Sequence, residues 1–409
     1  MKYLDHLHCL GCGACHDPEV LMNLCPACQR PVQMALDIRR LEKDFPDTGW
    51  YQPGRRSMWR FGALLAGSRD PVTLGEGHTP QLDHDDHPLA RQVGFHLRIK
   101  DEGHPHPGFG HNPTHSFKDR GMAMVATMAR RFGLRQLVVP TQGNAGDSLA
   151  EYAIHAGLEA AVIMPADTPM PVLGKVAALA RLHDNIHLDL VKGTIFEAGK
   201  KMKSDWLPAG FFNVATFQEP GWRIEGKKSL GLELAEPASP GDPWSLPDVI
   251  LYPTGGGTGV LGMWKAFDEL ESLGLIDGRR PKMICVQAAS TRPLVSAFEA
   301  GAEDTQPTPP GKTLATGLNV PGGVGHFRVL EIIRRSGGCA LAVSEQDMAA
   351  ALTRVWREKH WWIGPEGACC LAALEPLLDL GMIKRGQTVV AFNTGSSEKY
   401  LPNLRHLLG

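Results

Sequence analysis

The stretch HNPTHSFKDRGMAM, starting at His111, sets Lys118 between an aromatic residue and an Asp-Arg pair. From Gly121 onward the spacing is helical, with Met122, Val125, Met128 and Ala129 able to share one face, so Lys118 is expected at or just before a helix N-terminus. The helix dipole disfavours a cation there. A lysine so placed and partly buried has a depressed pKa and is available as a neutral amine nucleophile. The alternative is a solvated first-turn lysine, as most lysines are. His115 lies three residues before it and is open to three readings: proton donor, substrate contact or packed bystander.

Three loops could present anion or ring partners to such an amine. PTGGGTG (Pro253 to Gly259) follows the apolar run VILYP and precedes the helical VLGMWKAFDEL. Strand, glycine loop and helix together aim backbone N–H groups at a phosphate. Gly255, Gly256 and Gly257 let the backbone approach closely, and the Thr258 hydroxyl adds a donor. Neither the P-loop nor the dinucleotide fingerprint has this spacing, and a plain strand-helix turn is the competing reading. TQGNAGD (Thr141 to Asp147) repeats the arrangement at another strand-helix junction, where N–H groups could hold a carboxylate and Asn144 could donate to an oxygen. FNTGSSEKY follows the strand TVVAF, and its Thr394 or Ser396 could hydrogen-bond a ring nitrogen without carrying charge. A neutral partner leaves a pyridine nitrogen unprotonated, whereas a carboxylate would protonate it.

A separate constellation lies near the N-terminus. Cys9-Leu-Gly-Cys12 and Cys25-Pro-Ala-Cys28 are two CxxC pairs twelve residues apart, able to give four thiolates to a tetrahedral zinc. A metal-free cysteine-rich arm fits the same residues, and Cys15, His6, His8 and His16 are spare donors. A nucleic-acid-binding ribbon has little support, because the segment is only modestly basic and lacks interleaved aromatics.

The elements that must position these groups read as strand-helix alternation from about residue 66: LRQLVVP, LEAAVIMP, NIHLDLVKG, VILYP, KMICVQAA and TVVAFN, with helical stretches between them. That pattern predicts an α/β fold with parallel sheets. Residues 1 to about 65 show little periodicity. HPHPGFGHNP (His104 to Pro113) reads as a lid or an exposed loop, AEPASPGDPWSLP (Ala235 to Pro247) as a linker or surface loop, and GAEDTQPTPPGK as a loop. The chain of 409 residues implies two or three structural units. A net charge of -2 offers no global field for nucleic acid or an acidic membrane. No apolar run is long enough for a transmembrane helix, and the start lacks an apolar signal core. Nine cysteines, clustered early, suit a reducing cytoplasm better than a disulfide scaffold.

Taken in order, EGHTP (Glu76 to Pro80), NPTHSFKDRG, QGNAG, EGKKSLGLEL (from Glu225), PTGGGTG, ATGL (Ala315 to Leu318), PEGA (Pro365 to Ala368) and NTGS resemble the threonine synthase family, pyridoxal-phosphate enzymes of the tryptophan synthase β-subunit fold (fold type II). The resemblance runs from about residue 9 to the C-terminus. It implies two open parallel-sheet domains with the cofactor in the cleft between them: 66–110 with 221–409 as the large domain and 111–220 as the small one, behind a cysteine-rich arm at 1–65. It implies that Lys118 forms the Schiff base and shuttles protons, Phe117 lies beside the cofactor, Asn144 meets the ring hydroxyl, Gly255 to Gly259 cradle the phosphate and Thr394 faces the pyridine nitrogen. Thr141, Gln142, Gly143 and Ala145 would hold the substrate carboxylate. Asn213 and Arg223 would hold a substrate phosphate, since a guanidinium fork suits that group. The implied reaction turns O-phosphohomoserine and water into threonine and phosphate, by γ-elimination and β-addition. A β-eliminating or β-replacing relative of dehydratase type, acting on another amino acid, begins identically. A third reading, a non-catalytic binding protein, is opposed by the retained Lys118 and glycine loop. The chain departs from the family pattern with His115 where glycine is usual, with Gln142 and Ala145 near hydroxyl positions, and with Asp147, whose charge would oppose a phosphate if it pointed inward. The fold also implies a homodimer.

Overall fold

The computed structural model describes residues 2–239 and 241–407. Pro240, inside the linker expected over 235–247, lies outside the described residues. The chain forms two compact units, Met1–Gly77 with Asn112–Ser229 and His78–His111 with Leu230–Gly409.

The first unit is built on a parallel four-stranded sheet in the order Ile186–Val191, Glu159–Pro165, Gln136–Pro140, Phe212–Asn213. Its central strands read as continuous apolar runs because helices cover a parallel sheet on both faces; Leu137, Val138 and Ala160 to Met164 are fully buried. Strand Gln136–Pro140 pairs Val138 with Asn213 in parallel register. The loop after Asn213 and the TQGNAG loop therefore leave the sheet at the same, carboxyl-terminal edge. Helix Lys118–Arg131 begins at the lysine itself, as its spacing predicts. A Cβ built on Gly226, in helix Trp222–Ala235, would come within 2.0 Å of the Arg120 carbonyl, so the two helix backbones touch there and only glycine fits.

The N-terminal segment is more regular than its sequence suggests. It is a three-stranded antiparallel ribbon ordered Cys15–His16, Leu4–Cys9, Val32–Leu36. The alternation is hidden by a register irregularity between Leu4 and His6, which puts Leu4 and Leu7 both inside at an odd spacing.

The second unit carries a six-stranded sheet in the order Cys339–Val343, Lys282–Ala288, Val249–Pro253, Thr388–Asn393, His96–Asp101, Gln81–Asp83. Only the short last strand runs antiparallel. Strands Val249–Pro253 and Thr388–Asn393 are parallel neighbours, Val249 opposite Val389 and Leu251 opposite Ala391. The PTGGGTG and NTGS loops thus emerge side by side at the carboxyl-terminal edge, the place where open α/β sheets bind ligands.

Candidate active site

Lys118 occupies the first position of its helix and is half-buried. The turn before it is locked by Asp119, whose carboxylate accepts from the Thr114 amide (2.7 Å), the Thr114 hydroxyl (2.7 Å) and the Ser148 hydroxyl (2.6 Å). Ser148 belongs to helix Asn144–Ala156, so one carboxylate ties the lysine turn to the helix that follows TQGNAG. As an acid in the first turn it also complements the helix dipole. His115 sits in this turn at φ +58°, left-handed backbone, with its amide donating to the Asn112 carbonyl at 2.9 Å. The position where the family pattern has glycine is therefore one that favours glycine.

The Lys118 ammonium nitrogen stands 4.0 Å from the Phe117 ring centroid, and that of Lys227 stands 4.8 Å from the same ring. Lys227 is 1% exposed, and burial together with the charges of Lys118 and Arg223 holds its pKa well below the usual lysine value, Glu219 opposing. Arg223 is buried; its Nη1 donates to the Val214 carbonyl at 3.1 Å, while its Nε has no hydrogen-bond partner. Glu219 is buried too. Its Oε2 accepts from the amides of Trp222 (2.5 Å) and Arg223 (3.2 Å), and its Oε1 has no partner. Burial pushes this carboxyl up to about 7, against the pull of Arg223 and Lys227. Two polar atoms, Arg223 Nε and Glu219 Oε1, are thus buried unsatisfied on one short segment. A buried polar atom of this kind calls for a partner such as a water, an ion or a ligand.

The loop from Asn213 to Gly221 holds that segment. The Asn213 amide donates to Gln218 Oε1 (3.0 Å) and its oxygen accepts from the Ala215 amide (2.9 Å), so this side chain shapes its own turn. From the ribbon, the Asn23 amide donates to the carbonyls of Asn213 (3.0 Å) and Gln218 (2.7 Å). Gly221, at φ +76°, lies so close to the ribbon that a Cβ would fall 2.6 Å from the Gln33 Cα.

In the TQGNAG loop, the Thr141 hydroxyl bonds within its own turn, to the amide and carbonyl of Gly143, each at 3.2 Å. Gln142, Gly143 and Asn144 are half-buried and Ala145 is buried at the start of the helix. Asp147 is buried, its Oδ1 accepting from the Ser148 amide at 2.9 Å.

In the second unit, helix Thr258–Ser272 starts with no acid in its first turn and with Gly257 as its cap, at φ +90°, offering no side chain. A Cβ on Gly259 would fall 2.0 Å from the Tyr252 hydroxyl, and one on Gly255 would fall 2.8 Å from the Gly317 carbonyl. Packing therefore requires glycine at these positions, and the first-turn amides of the helix carry the dipole end that favours an anion. His326 donates from Nε2 to the Gly255 carbonyl (2.9 Å), and the Gly317 amide donates to Glu366 Oε1 (2.9 Å), so ATGL and PEGA brace the loop. On the adjacent loop, Ser396 is engaged by His104 Nε2 (2.9 Å) and the Glu398 amide (3.2 Å), and Thr394 is buried.

In the ribbon, Cys9 and Cys28 Sγ lie 3.4 Å apart and Cys12 and Cys25 Sγ 3.8 Å apart, all four within 4.8 Å of one another. Tetrahedral zinc with bonds of about 2.3 Å needs sulfurs about 3.8 Å apart. The amides of Gly11 and Cys12 point at Cys9 Sγ at 3.4 and 3.5 Å, as a metal-holding knuckle does.

A family model described as pyridoxal-phosphate dependent enzyme matches residues 72–395. The chain belongs to this family. A threonine synthase from Methanosarcina acetivorans is 31% identical to it, covering 95% of this chain and 91% of the relative. A threonine synthase from Mycobacterium tuberculosis is 32% identical over 87% of this chain and 91% of the relative. Among solved structures, diaminopropionate ammonia lyase from Escherichia coli superposes with a TM-score of 0.66 at 17% identity, covering 88% of this chain and 95% of that one. The protein is thus a pyridoxal-phosphate-dependent lyase of threonine synthase-like sequence. The residue types within each unit fit such a cofactor: the first offers an amine at Lys118, and the second offers helix N-terminal amides after Gly257 and a buried neutral hydroxyl at Thr394.

The helix start at Lys118 and the strand-helix glycine loops are legible in the sequence, whereas Asp119, Glu219, Lys227 and Asn23 are not. Lys227 stands inside the quoted EGKKSLGLEL, where a Lys-Lys pair on a helix reads as solvated charge. Glu219 lies in VATFQEPGW, which carries no pattern of its own. Asn23 acts through backbone carbonyls, and no spacing signals that.

Proposed function

We propose that this enzyme converts O-phosphohomoserine and water into threonine and phosphate. The observation that carries the reading is the buried segment with Arg223, Lys227 and Glu219 behind Phe117 and Lys118. A buried guanidinium at Arg223 suits a substrate that brings its own phosphate, and its unsatisfied Nε is a donor suited to that group.

Lys118, Phe117, Asn144, Gly255 to Gly259 and Thr394 would hold the cofactor. Bound pyridoxal phosphate supplies an electron sink for the pair left when the α-proton departs. Lys118 Nζ, held in its turn by Asp119, is the base that removes that proton and returns it. Thr394 leaves the ring nitrogen neutral, and this restrains the sink. The amides of the Thr141 to Ala145 loop, at a helix N-terminus, orient the substrate carboxylate. Arg223 holds the phosphate before and during its departure from the γ-carbon. Glu219, with its pKa near 7, can hold a proton beside it. Zinc at Cys9, Cys12, Cys25 and Cys28 would set the ribbon that braces the Asn213 to Gly221 loop.

The test is incubation of the pyridoxal-phosphate-loaded enzyme with O-phosphohomoserine, scoring phosphate and threonine together. Equimolar release of both is expected. If O-phosphohomoserine is inert and serine or threonine yields a 2-oxo acid and ammonia, the enzyme is a dehydratase instead.

A further inference from the structure

We propose that the N-terminal ribbon carries a second transition-metal site, formed by His6, His8 and Cys15 on the face opposite the four-cysteine cluster. His6 and His8 are two apart on strand Leu4–Cys9, so both side chains project to one face. Cys15 lies directly opposite His8 in the antiparallel pair, which puts its thiol on that face as well. One donor atom from each of the three lies within 4.8 Å of the other two. Zinc bonds of about 2.0–2.1 Å to nitrogen and 2.3 Å to sulfur need donors about 3.3–3.8 Å apart, which small side-chain rotations on a partly exposed face supply.

The neighbouring pair separates the two clusters. Leu7 is opposite His16, and His16 turns the other way, its Nε2 3.3 Å from Cys25 Sγ. His16 therefore belongs to the four-cysteine side, while His6, His8 and Cys15 are left to the other. Asp5 supports the assignment: its Oδ2 is 2.9 Å from His6 Nδ1. A carboxylate on one imidazole nitrogen fixes the tautomer and turns the other nitrogen outward as a ligand, the usual support for a metal-bound histidine.

Two imidazoles and a thiolate select zinc, cobalt or another borderline ion over magnesium or calcium. Three protein ligands leave a fourth position for water or an incoming ligand. The ion would also pin the two-residue strand Cys15–His16 to its neighbour, a pairing too short to be stable alone.

The test counts metal on the full-length holoenzyme after zinc loading and desalting. Two zinc ions per chain are expected in the wild type, falling to one in His8→Ala and in Cys15→Ser, with the bound-cofactor absorbance unchanged as a folding control. Cobalt substitution should show the four-thiolate charge-transfer bands in all three proteins and lose only the mixed nitrogen-sulfur component in the variants. One retained zinc that is insensitive to His6→Ala, His8→Ala and Cys15→Ser overturns this site and leaves the four-cysteine site standing. A wild type that holds a single zinc, with none left in those variants, supports this site and overturns the other. Loss of the second ion on desalting marks adventitious binding and overturns the proposal.

Discussion

Arg223, Glu219 and His115 each make a separate claim that a single substitution can check. Arg223 is proposed to hold phosphate with a planar fork, and a lysine cannot reproduce that geometry. A hydrogen bond to a charged group is worth about 1.5–3 kcal/mol. Arg223→Lys should therefore lower kcat/KM for O-phosphohomoserine by about ten- to a hundredfold, chiefly through KM, with the cofactor absorbance unchanged. An unaltered KM would remove Arg223 from the phosphate pocket. Glu219 makes a claim about pH. Its carboxyl is held at about 7 in the fold against an ordinary value of 4.5. A raised pKa means the folded protein holds the proton more tightly, so this group's contribution is full below pH 4.5 and is lost as pH rises through 7. Glu219→Gln has no such proton. The wild-type Tm measured relative to that of the variant should fall between pH 4.5 and 7 and level off above; a constant difference across that range would contradict the shift. His115 holds left-handed backbone at a cost of about 1 kcal/mol. Strain of this kind beside a reactive lysine persists where the side chain is used. His115→Gly should raise Tm while lowering kcat/KM, and a variant that gains stability without losing activity would make the imidazole a bystander.

At the scale of elements, the strands were legible where burial is two-sided. VILYP, TVVAFN and LEAAVIMP read as continuous apolar runs, and each is a central parallel strand. The ribbon was not legible, because its inward residues are cysteines and leucines at broken spacing. Nor was its attachment. Asn23 sits between the two CxxC pairs, and its amide bonds the carbonyls of Asn213 and Gln218. Backbone acceptors carry no residue type, so no motif could reveal the contact. The consequence is a coupling between the ribbon and the loop that bears Glu219. Two hydrogen bonds at about 1 kcal/mol each set the scale. Asn23→Ala should raise KM for O-phosphohomoserine several-fold and leave kcat within about twofold, because it loosens a loop rather than removing a reacting group. Asn23→Asp, which sets a carboxylate against two carbonyls, should do worse. Equal losses in kcat would show that the loop matters to chemistry and not to binding.

For the whole molecule, the proposed holders of the cofactor make different demands on one measurement. A ligand that binds only the folded chain stabilises it by about 2.7 kcal/mol at a hundredfold excess over Kd. Lys118 contributes a covalent bond, whereas the glycine loop contributes backbone donors at a helix N-terminus. Lys118→Ala removes the bond and leaves the cradle, so added pyridoxal phosphate should still raise Tm, by less than in the wild type and without the absorbance of a lysine-bound cofactor. Gly257→Ala acts on the cradle: the position has φ +90°, and the new Cβ would come within 2.4 Å of Val329 Cγ2. The loop must shift, and its donors lose their aim. In that variant the thermal shift should shrink at the same cofactor concentration, with the lysine-bound absorbance retained, while the far-UV circular dichroism stays that of the wild type. A full shift in Gly257→Ala would mean that the phosphate is held elsewhere, and the helix Thr258–Ser272 would return to being an ordinary strand-helix connection.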